Sequence, residues 1–298
     1  MHVFRTPEDR FDGLPGYGYE PRYAEVDGLR LHHLDEGNGP TVLCFHGEPS
    51  WSYLYRRMLD ALVAAGHRVV CPDLVGFGRS DKPTDRGWYS YDRHVDVVTR
   101  HLEQLGLDDV TVVVQDWGGP IGLRWAVEHR DLVRRLVVLN TGLFSGRVSK
   151  GFMAWREFAE RTPDLPIGAI IQAATTTELP PEIVAAYEAP FPTPESKAGA
   201  ARFPLLVPLD DGDTGAAEMR AVRDALAQWD VPALVAFSDG DQVFPFPQAG
   251  EQFTAILSGA SEQVRIAGAA HFLQEDRGHE IADAMLTAFG RPGAAVGA

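Results

Sequence analysis

The sequence contains few cysteines and few basic residues, and it has no long hydrophobic run. Cys44 and Cys71 are the two cysteines among 298 residues, so a disulfide framework and a Cys-x-x-Cys motif are both excluded. Lysine and arginine number 27, whereas aspartate and glutamate number 42, which gives a formal net charge of −15. Because phosphate groups and anionic lipids attract cationic surfaces, this balance disfavours nucleic acid and membranes as partners.

The apolar segments are too short for a membrane span, which needs roughly 18–20 consecutive apolar residues. The first 21 residues lack the apolar core and the cleavage site of a signal peptide. We therefore expect a soluble, cytoplasmic and monomeric protein whose substrate is small and neutral. The sequence has neither metal-ligand spacing nor a phosphate-binding glycine loop, so we expect no metal and no cofactor.

Strand-like segments alternate with helical segments along most of the chain, which predicts an α/β sheet. Several strand-like segments are almost continuously apolar, as is typical of strands buried on both faces of a parallel sheet. The first two are expected to form an antiparallel hairpin, because Asp27-Gly28 between them is a favoured hairpin turn. The predicted strands are Arg22–Val26, Leu29–Leu34, Thr41–Phe45, Arg68–Cys71, Val110–Gln115, Leu136–Asn140, Leu234–Ser238 and Gln263–Ile266. The predicted helices are Ser52–Ala65, Tyr91–Leu105, Pro120–His129, Pro247–Leu257 and Gly278–Phe289.

The alternation is interrupted between Ser145 and Asp230, where short helical segments are separated by prolines and no convincing strand is present. One interpretation is a long irregular connection. We favour a helical cap, because connections of this length with helices of their own often cover active sites. The predicted organisation is a core domain of residues 1–144 and 231–298, with a cap domain of residues 145–230.

The strongest motif is the segment VTVVVQDWGGPIG at residues 110–122. The strand-like part ends at Gln115 and a helix is predicted from Pro120, with Asp116 at the turn and two glycines behind it. A sharp strand-to-helix turn of this kind is the nucleophile elbow, which holds one side chain above the carboxyl edge of a sheet. The usual pattern is G-x-S-x-G, and here Val114 and Asp116 replace its first glycine and its serine. The alternative is that Asp116 only caps the helix.

Three further motifs follow predicted strands. The loop after the third strand reads His-Gly-Glu-Pro and contains Glu48. The loop after the seventh strand contains Asp239 and Asp241, and His271 follows the last strand. Each signal is weak alone, because His-Gly pairs are common in turns and most of the ten histidines are expected at the surface.

In this order the motifs resemble the α/β-hydrolase superfamily over nearly the whole chain. The resemblance implies that Asp116 is the nucleophile, that His271 is the base and that Asp241 orients this base, whereas an aspartate two positions earlier caps the turn. It also implies an oxyanion hole formed by the backbone N–H groups of Glu48 and Trp117.

An aspartate nucleophile indicates displacement at sp³ carbon. A carboxylate is already ionised at pH 7 and needs no base for attack, whereas an amide or ester substrate would convert it into an anhydride. The expected product is an alkyl ester, which water activated by His271 then hydrolyses at the carbonyl carbon of Asp116. Two leaving groups fit this chemistry, namely the halide of a haloalkane and the ring oxygen of an epoxide.

The aromatic residues of the predicted cap favour a halide. Epoxide hydrolases use a pair of cap tyrosines, but residues 145–230 contain one tyrosine, Tyr187, and two tryptophans, Trp155 and Trp229. An indole N–H only donates hydrogen bonds, which suits a halide. The segments QDWGG and GFMAW are similar to the elbow and to a cap segment of haloalkane dehalogenases. This resemblance implies that Trp155 and the tryptophan of QDWGG, Trp117, bind halide.

Two positions indicate a subfamily. A sister subfamily has asparagine in the His-Gly-Asn-Pro loop and a glutamate after the sixth strand, where this chain has Glu48 and Asn140. Both differences favour the subfamily with a Trp–Trp halide-binding pair and with Asp241 as its acid. The alternative for Trp155 is that it packs the cap on the core, and Phe152 on the same helical face suits both interpretations.

The same resemblance implies a mostly apolar substrate pocket, which suits a small neutral haloalkane. Pro120 replaces an aromatic residue that is common in the family, so the resemblance does not indicate a particular substrate for this chain. The implied lining residues are Pro120, Phe144, Phe152, Phe203, Pro204, Val207, Val243 and Phe244.

We therefore expect hydrolytic dehalogenation, in which a haloalkane and water give an alcohol, a halide ion and a proton. An epoxide hydrolase is the alternative with the same machinery. A fluoroacetate-type dehalogenase is disfavoured because its elbow has arginine at the position of Trp117. A non-catalytic α/β-hydrolase-like binding protein is disfavoured because all three triad positions are filled.

Overall fold

The computed structural model describes residues 1–144, 148–162 and 164–292, which contain ten β-strands and ten α-helices. The strands are β1 (Val3–Phe4), β2 (Arg22–Val26), β3 (Leu29–Gly37), β4 (Thr41–Phe45), β5 (Arg68–Pro72), β6 (Lys82–Pro83), β7 (Val110–Gln115), β8 (Val133–Leu139), β9 (Ala233–Ser238) and β10 (Val264–Ile266). The helices are α1 (Arg56–Ala64), α2 (Tyr91–Leu102), α3 (Gly118–Glu128), α4 (Lys150–Arg161), α5 (Ile167–Ala173), α6 (Pro181–Glu188), α7 (Ala198–Leu206), α8 (Ala216–Ala227), α9 (Gln248–Thr254) and α10 (Leu273–Phe289).

Eight strands form one sheet in the order β10-β9-β8-β7-β4-β5-β3-β2. β3 pairs antiparallel with β2 and with β5, and the other neighbouring strands of this sheet pair parallel. The predicted mostly parallel eight-stranded sheet of an α/β-hydrolase fold is therefore confirmed. β1 and β6 form a separate two-stranded sheet that the sequence did not predict.

The hairpin between β2 and β3 has the geometry that its sequence predicts. Asp27 and Gly28 are the two connecting residues, and both have positive φ angles of 53° and 75°. Two consecutive residues with positive φ form the tight turn whose twist matches that of paired strands. This turn sets the antiparallel edge of the sheet.

The central strands are buried on both faces. Every residue of β4, β7 and β9 is buried, which agrees with their continuous apolar sequences. α1 packs against α10, and α3 packs against α2 and α8. The carboxyl ends of these buried strands carry the loops that contain the predicted site residues.

The ends of several helices differ from the predictions. A 3₁₀ turn at Ser52–Tyr55 precedes α1, in place of one continuous helix from Ser52. α10 begins at Leu273 and contains a kink at Arg277, whose φ is −140°. The sequence placed this helix start at Gly278, which is too late, because the helix continues through this glycine from Leu273.

Four helices, α4 to α7, lie between β8 and α8 in the chain. α4 packs against α7 and α5 packs against α6, whereas α8 packs against the core helix α3. The division into a core of residues 1–144 and 231–298 and a cap of residues 145–230 stays a prediction, and its boundary at 145–147 lies outside the described residues. No helix in the described ranges is both long and apolar enough to cross a membrane.

Candidate active site

Asp116 lies at a tight turn between β7 and α3. Its φ is +49°, a left-handed conformation that is uncommon for residues other than glycine and is concentrated at functional sites. The Asp116 N–H donates to the Asn140 carbonyl at 2.9 Å, and the Thr141 hydroxyl donates to the Asp116 carbonyl at 2.6 Å. The first residue before α3 is Trp117, and no side chain in the described part of the chain caps this helix. The geometry is thus that of a nucleophile elbow, and the helix-cap interpretation of Asp116 is wrong.

Two glycines allow the elbow to pack closely. A Cβ atom at Gly118 would collide with the backbone carbonyl of Phe45 at the end of β4. A Cβ atom at Gly47 would collide with the carboxyl group of Asp116. The missing side chains therefore bring the loop after β4 against the nucleophile.

His271 lies between two carboxyl groups. Its Nδ1 is 2.9 Å from Asp241 Oδ2, and its Nε2 is 3.5 Å from Asp116 Oδ2. Asp239 instead accepts hydrogen bonds from the Arg265 side chain and from the Gly268 N–H. The structure therefore places Asp241 on the ring of His271 and Asp239 at the turn, as the sequence predicted.

The two carboxylates determine the protonation of His271. Burial lowers the pKa of His271, but the charges of Asp241 and Asp116 outweigh burial and raise this pKa from 6.5 to about 10. Neutralising Asp116 would remove one of the two charges that stabilise the imidazolium. The proton affinity of His271 thus depends on the chemical state of Asp116.

The loop that carries His271 is held by two polar side chains that the sequence did not assign to the site. The Gln115 and Asn140 amides each donate to the His271 carbonyl at 3.2 Å. The Asn140 amide also donates to the Ser238 hydroxyl at 2.7 Å. Both residues follow or end apolar strands, and a buried polar side chain at the end of such a strand is the signal that could have identified them.

One of the two predicted oxyanion donors contacts the nucleophile. The Glu48 N–H donates to Asp116 Oδ1 at 2.8 Å. Trp117 N–H lies at the N-terminal end of α3, and among the described contacts it makes no hydrogen bond with the Asp116 carboxylate. Asp116 is therefore fixed by one backbone donor, and the second donor stays a prediction.

A cavity of about 370 Å³ lies above Asp116. Few of its groups are polar, and these are the carboxyl groups of Glu48 and Asp116, the His271 ring and two indoles. Both predicted halide-binding residues, Trp117 and Trp155, are on its wall. The lining residues are Glu48, Pro49, Asp116, Trp117, Phe144, Phe152, Trp155, Phe158, Pro166, Ala169, Ile170, Ala173, Ala174, Val243, His271 and Phe272.

Of the eight residues predicted to line the pocket, Phe144, Phe152 and Val243 are on this wall. Five others are not, and the prediction is corrected for them. Phe203 packs edge-on against Trp117 with ring centroids 5.1 Å apart, so it contacts this wall residue without lining the cavity itself. The residues displaced from the wall are Pro120, Phe203, Pro204, Val207 and Phe244.

The other four residues that do not line the cavity make contacts elsewhere in the structure. Phe244 stacks on His271 at 5.9 Å between ring centroids. The carbonyl of Pro120 accepts the Tyr91 hydroxyl at 2.9 Å. The carbonyls of Pro204 and Val207 accept hydrogen bonds from the Arg156 guanidinium, which ties α4 to the end of α7.

The sequence missed the wall formed by α5. Residues 166–174 contribute Pro166, Ala169, Ile170, Ala173 and Ala174 to the cavity. Phe158 on α4 lines the same cavity while 43% of its surface is exposed, so it lies at the opening. These α5 positions share one face of the helix, but the opposite face, with Ile167 and Ile171, is apolar as well, so the sequence does not show which face lines the cavity.

A larger cavity of about 640 Å³ lies beside the first one. It shares Phe144, Phe152 and Val243 with the first, and its other lining residues include Arg223 and Glu251. Neither Asp116 nor His271 lines it. The chemistry is therefore assigned to the smaller cavity.

Comparisons with known proteins indicate the α/β-hydrolase fold, and relatives at 43–47% identity are haloalkane dehalogenases. The family model described as alpha/beta hydrolase fold matches residues 40–278. A haloalkane dehalogenase of Mycobacterium marinum is 45% identical over 298 residues, which cover 96% of this chain and 99% of that protein. A haloalkane dehalogenase of Psychrobacter cryohalolentis is 43% identical and covers 96% of this chain and 97% of its own. The solved tetrameric structure of a haloalkane dehalogenase from Paraglaciecola agarilytica NO2 has a TM-score of 0.93 at 34% identity, with 97% and 99% of the two chains covered.

Proposed function

The chain belongs to the haloalkane dehalogenases, a family with the α/β-hydrolase fold, and we propose that it converts small haloalkanes through a covalent ester on Asp116. Hydrolytic dehalogenation consumes a haloalkane and water and releases a halide ion. The observation that supports the covalent route is an aspartate at the elbow, hydrogen-bonded to Glu48 N–H and 3.5 Å from His271 Nε2. An ionised carboxylate at this position attacks carbon without a base.

In the first step an Asp116 carboxylate oxygen attacks the carbon that carries the halogen. The new C–O bond forms as the carbon–halogen bond breaks, and the halide leaves with the bonding electrons. We assign the indole N–H groups of Trp117 and Trp155 as donors to this halide. Both tryptophans line the cavity with Asp116, and donors aimed at developing charge stabilise the transition state.

In the second step His271 takes a proton from water as the water oxygen attacks the carbonyl carbon of Asp116. The ester no longer carries the charge of Asp116, so the pKa of His271 falls, the ring releases its proton to solvent, and it can act as a base only after the ester has formed. Asp241 stabilises the imidazolium. The backbone N–H of Glu48, with that of Trp117 as the proposed second donor, stabilises the tetrahedral oxyanion. When the acyl C–O bond breaks, the alkoxide takes the second proton of the attacking water and leaves as the alcohol, which restores the Asp116 carboxylate.

The surroundings of the single cap tyrosine favour halide over epoxide. The Tyr187 hydroxyl donates to Glu275 at 2.6 Å, and Tyr187 is fully buried. No tyrosine is among the described residues that line the cavity above Asp116. An epoxide alkoxide would therefore lack the acidic hydroxyl pair that stabilises it.

A halide-release assay tests this function. We expect bromide release from 1,2-dibromoethane and 1-bromobutane, chloride release from 1-chlorobutane and no diol from styrene oxide. Formation of diol without release of halide would contradict the assignment. The cavity of about 370 Å³, whose wall is mostly apolar, supports a small neutral substrate.

We further propose a monomeric, cytoplasmic enzyme with the cap at residues 145–230. The proposal of a monomer is supported by a site whose triad comes from one chain, Asp116, Asp241 and His271. The relative from Paraglaciecola agarilytica NO2 is tetrameric. Light scattering coupled to gel filtration measures the state of this chain, and a tetramer would contradict the proposal.

A further inference from the structure

The side chain of Glu48 has no role in the steps above, which use only its backbone N–H. Glu48 is 4% exposed and lines the cavity with Asp116 and His271. Its Oε1 atom is buried, and none of the residues that the structure describes gives it a hydrogen-bond partner. Buried carboxyl oxygens are nearly always hydrogen-bonded, so an unpartnered one inside a reaction cavity needs an explanation.

The charges around Glu48 disfavour its ionised form. Asp116 faces it from the end of β7, His271 faces it from the loop before α10, and the uncharged Trp155 indole faces it from α4. Burial and then the charge of Asp116 raise the pKa of Glu48 well above its ordinary range, and His271 and Trp155 only partly offset this. Two adjacent carboxylates in an apolar cavity do not both ionise readily.

We propose that Glu48 is a neutral acid during the reaction and that its O–H group is a third halide donor beside Trp117 and Trp155. This inference rests on the halide site proposed above. A protonated carboxyl group has one O–H donor, which a carboxylate lacks. Glu48 donates a hydrogen bond only, and its proton does not leave in either step.

The charge balance of the displacement step supports this role. Before the step the negative charge is on Asp116, and after it Asp116 is a neutral ester while the halide carries that charge. With Glu48 neutral, the departing halide has no ionised Glu48 carboxylate beside it. With Glu48 ionised, the halide would share the cavity with a carboxylate that also competes for the Trp155 N–H.

This role of Glu48 predicts that halide binding weakens at alkaline pH. Only the neutral form of Glu48 donates to halide, so halide affinity decreases as the pH rises through the pKa of Glu48. Well above that pKa the affinity falls about tenfold per pH unit. The imidazolium of His271 also attracts halide and loses its proton at alkaline pH, so the two groups must be separated by variants.

The experiment measures quenching of tryptophan fluorescence by bromide from about pH 6 to about pH 10. The background is His271→Gln, in which position 271 does not titrate. We expect bromide affinity in His271→Gln to decrease at alkaline pH, and we expect this decrease to disappear in His271→Gln/Glu48→Gln. An equal alkaline decrease in both variants would overturn the inference. Glu251→Gln in the same background is the control carboxyl substitution, and it is expected to keep the decrease.

An infrared difference spectrum tests the protonation state without halide. The wild type minus Glu48→Gln is expected to show the carbonyl stretch of a protonated carboxyl group at neutral pH. A carboxylate band in its place would overturn the inference and leave the proposed function intact. Absence of bromide quenching at every pH, in wild type and variants alike, would instead overturn the halide site and its third donor together.

Discussion

Asp241 Oδ2 lies 2.9 Å from His271 Nδ1, which leaves His271 Nε2 facing the nucleophile. The Asp241 carboxylate is itself held by the Val243 N–H at 2.7 Å. A charged partner fixed in this way orients the imidazole and stabilises its protonated form. Asp241 is therefore expected to serve the hydrolysis of the ester, with a smaller contribution to its formation.

Replacing the Asp241 carboxylate tests whether this residue serves hydrolysis of the ester more than its formation. In Asp241→Asn we expect steady turnover to fall by up to about 10⁴-fold, since a misoriented imidazole is a poor base. A burst of halide equal to the enzyme concentration is expected to remain, and rapid-quench measurements of halide and alcohol would detect it. Asp239→Asn is the matched control and is expected to turn over within about threefold of wild type, because Asp239 pairs with the exposed Arg265. Loss of activity in the control but not in Asp241→Asn would contradict the assignment.

The protonation of His271 should depend on the nucleophile. In the free enzyme burial lowers the pKa of His271, but the charges of Asp241 and Asp116 raise it to about 10. We expect a lower pKa in Asp116→Asn, because one of the two charges is removed while the side-chain size is kept. Histidine titration by NMR measures both values. An identical pKa in the two proteins would show that Asp116 does not control the base.

The same coupling predicts the direction of the pH dependence. Ester hydrolysis needs neutral His271, so its rate is expected to fall as the pH falls through the pKa of the ring in the ester. That pKa is lower than the value of about 10 in the free enzyme, because the ester is uncharged. Single-turnover alcohol formation, followed after the halide burst, gives this pKa. A rate that increases toward acid pH would be incompatible with His271 as the base.

Trp155 is expected to contribute directly to halide binding. In Trp155→Phe we predict that bromide affinity falls by at least about tenfold, which corresponds to the loss of one hydrogen bond to a charged group. Trp229→Phe is the matched control, because Trp229 packs under the Arg130 guanidinium and is outside the cavity. Fluorescence quenching by bromide measures both variants. Unchanged affinity in Trp155→Phe would remove this residue from the halide site.

The sheet was predictable from sequence because its strands are buried. In β4 and β7 every side chain is buried, so their sequences are apolar without interruption and identify them directly. The Asp27-Gly28 turn was predictable because both residues tolerate positive φ. The start of α10 was not predictable, because the helix begins at Leu273 and continues past Gly278 through a kink.

The triad positions were predictable because each follows a strand at the same edge of the sheet. The residues of the cavity wall were harder to predict. Similarity to a known segment identifies the residue types, but it does not show which side chains face the nucleophile. Phe203 supports Trp117 from behind, and Phe244 stacks on His271, so both lie near the chemistry without lining the cavity. The contribution of α5 depends on which of its two apolar faces points toward the nucleophile, and the sequence of this helix does not decide that.

Mass spectrometry of His271→Gln after exposure to 1,2-dibromoethane tests the covalent ester on Asp116. This variant is expected to form the ester and to hydrolyse it slowly, because it has the nucleophile but not the base. We expect a bromoethyl adduct on the peptide that contains Asp116, and no adduct on that peptide in His271→Gln/Asp116→Asn. An unmodified Asp116 peptide, under conditions in which the wild type releases bromide, would contradict the covalent mechanism.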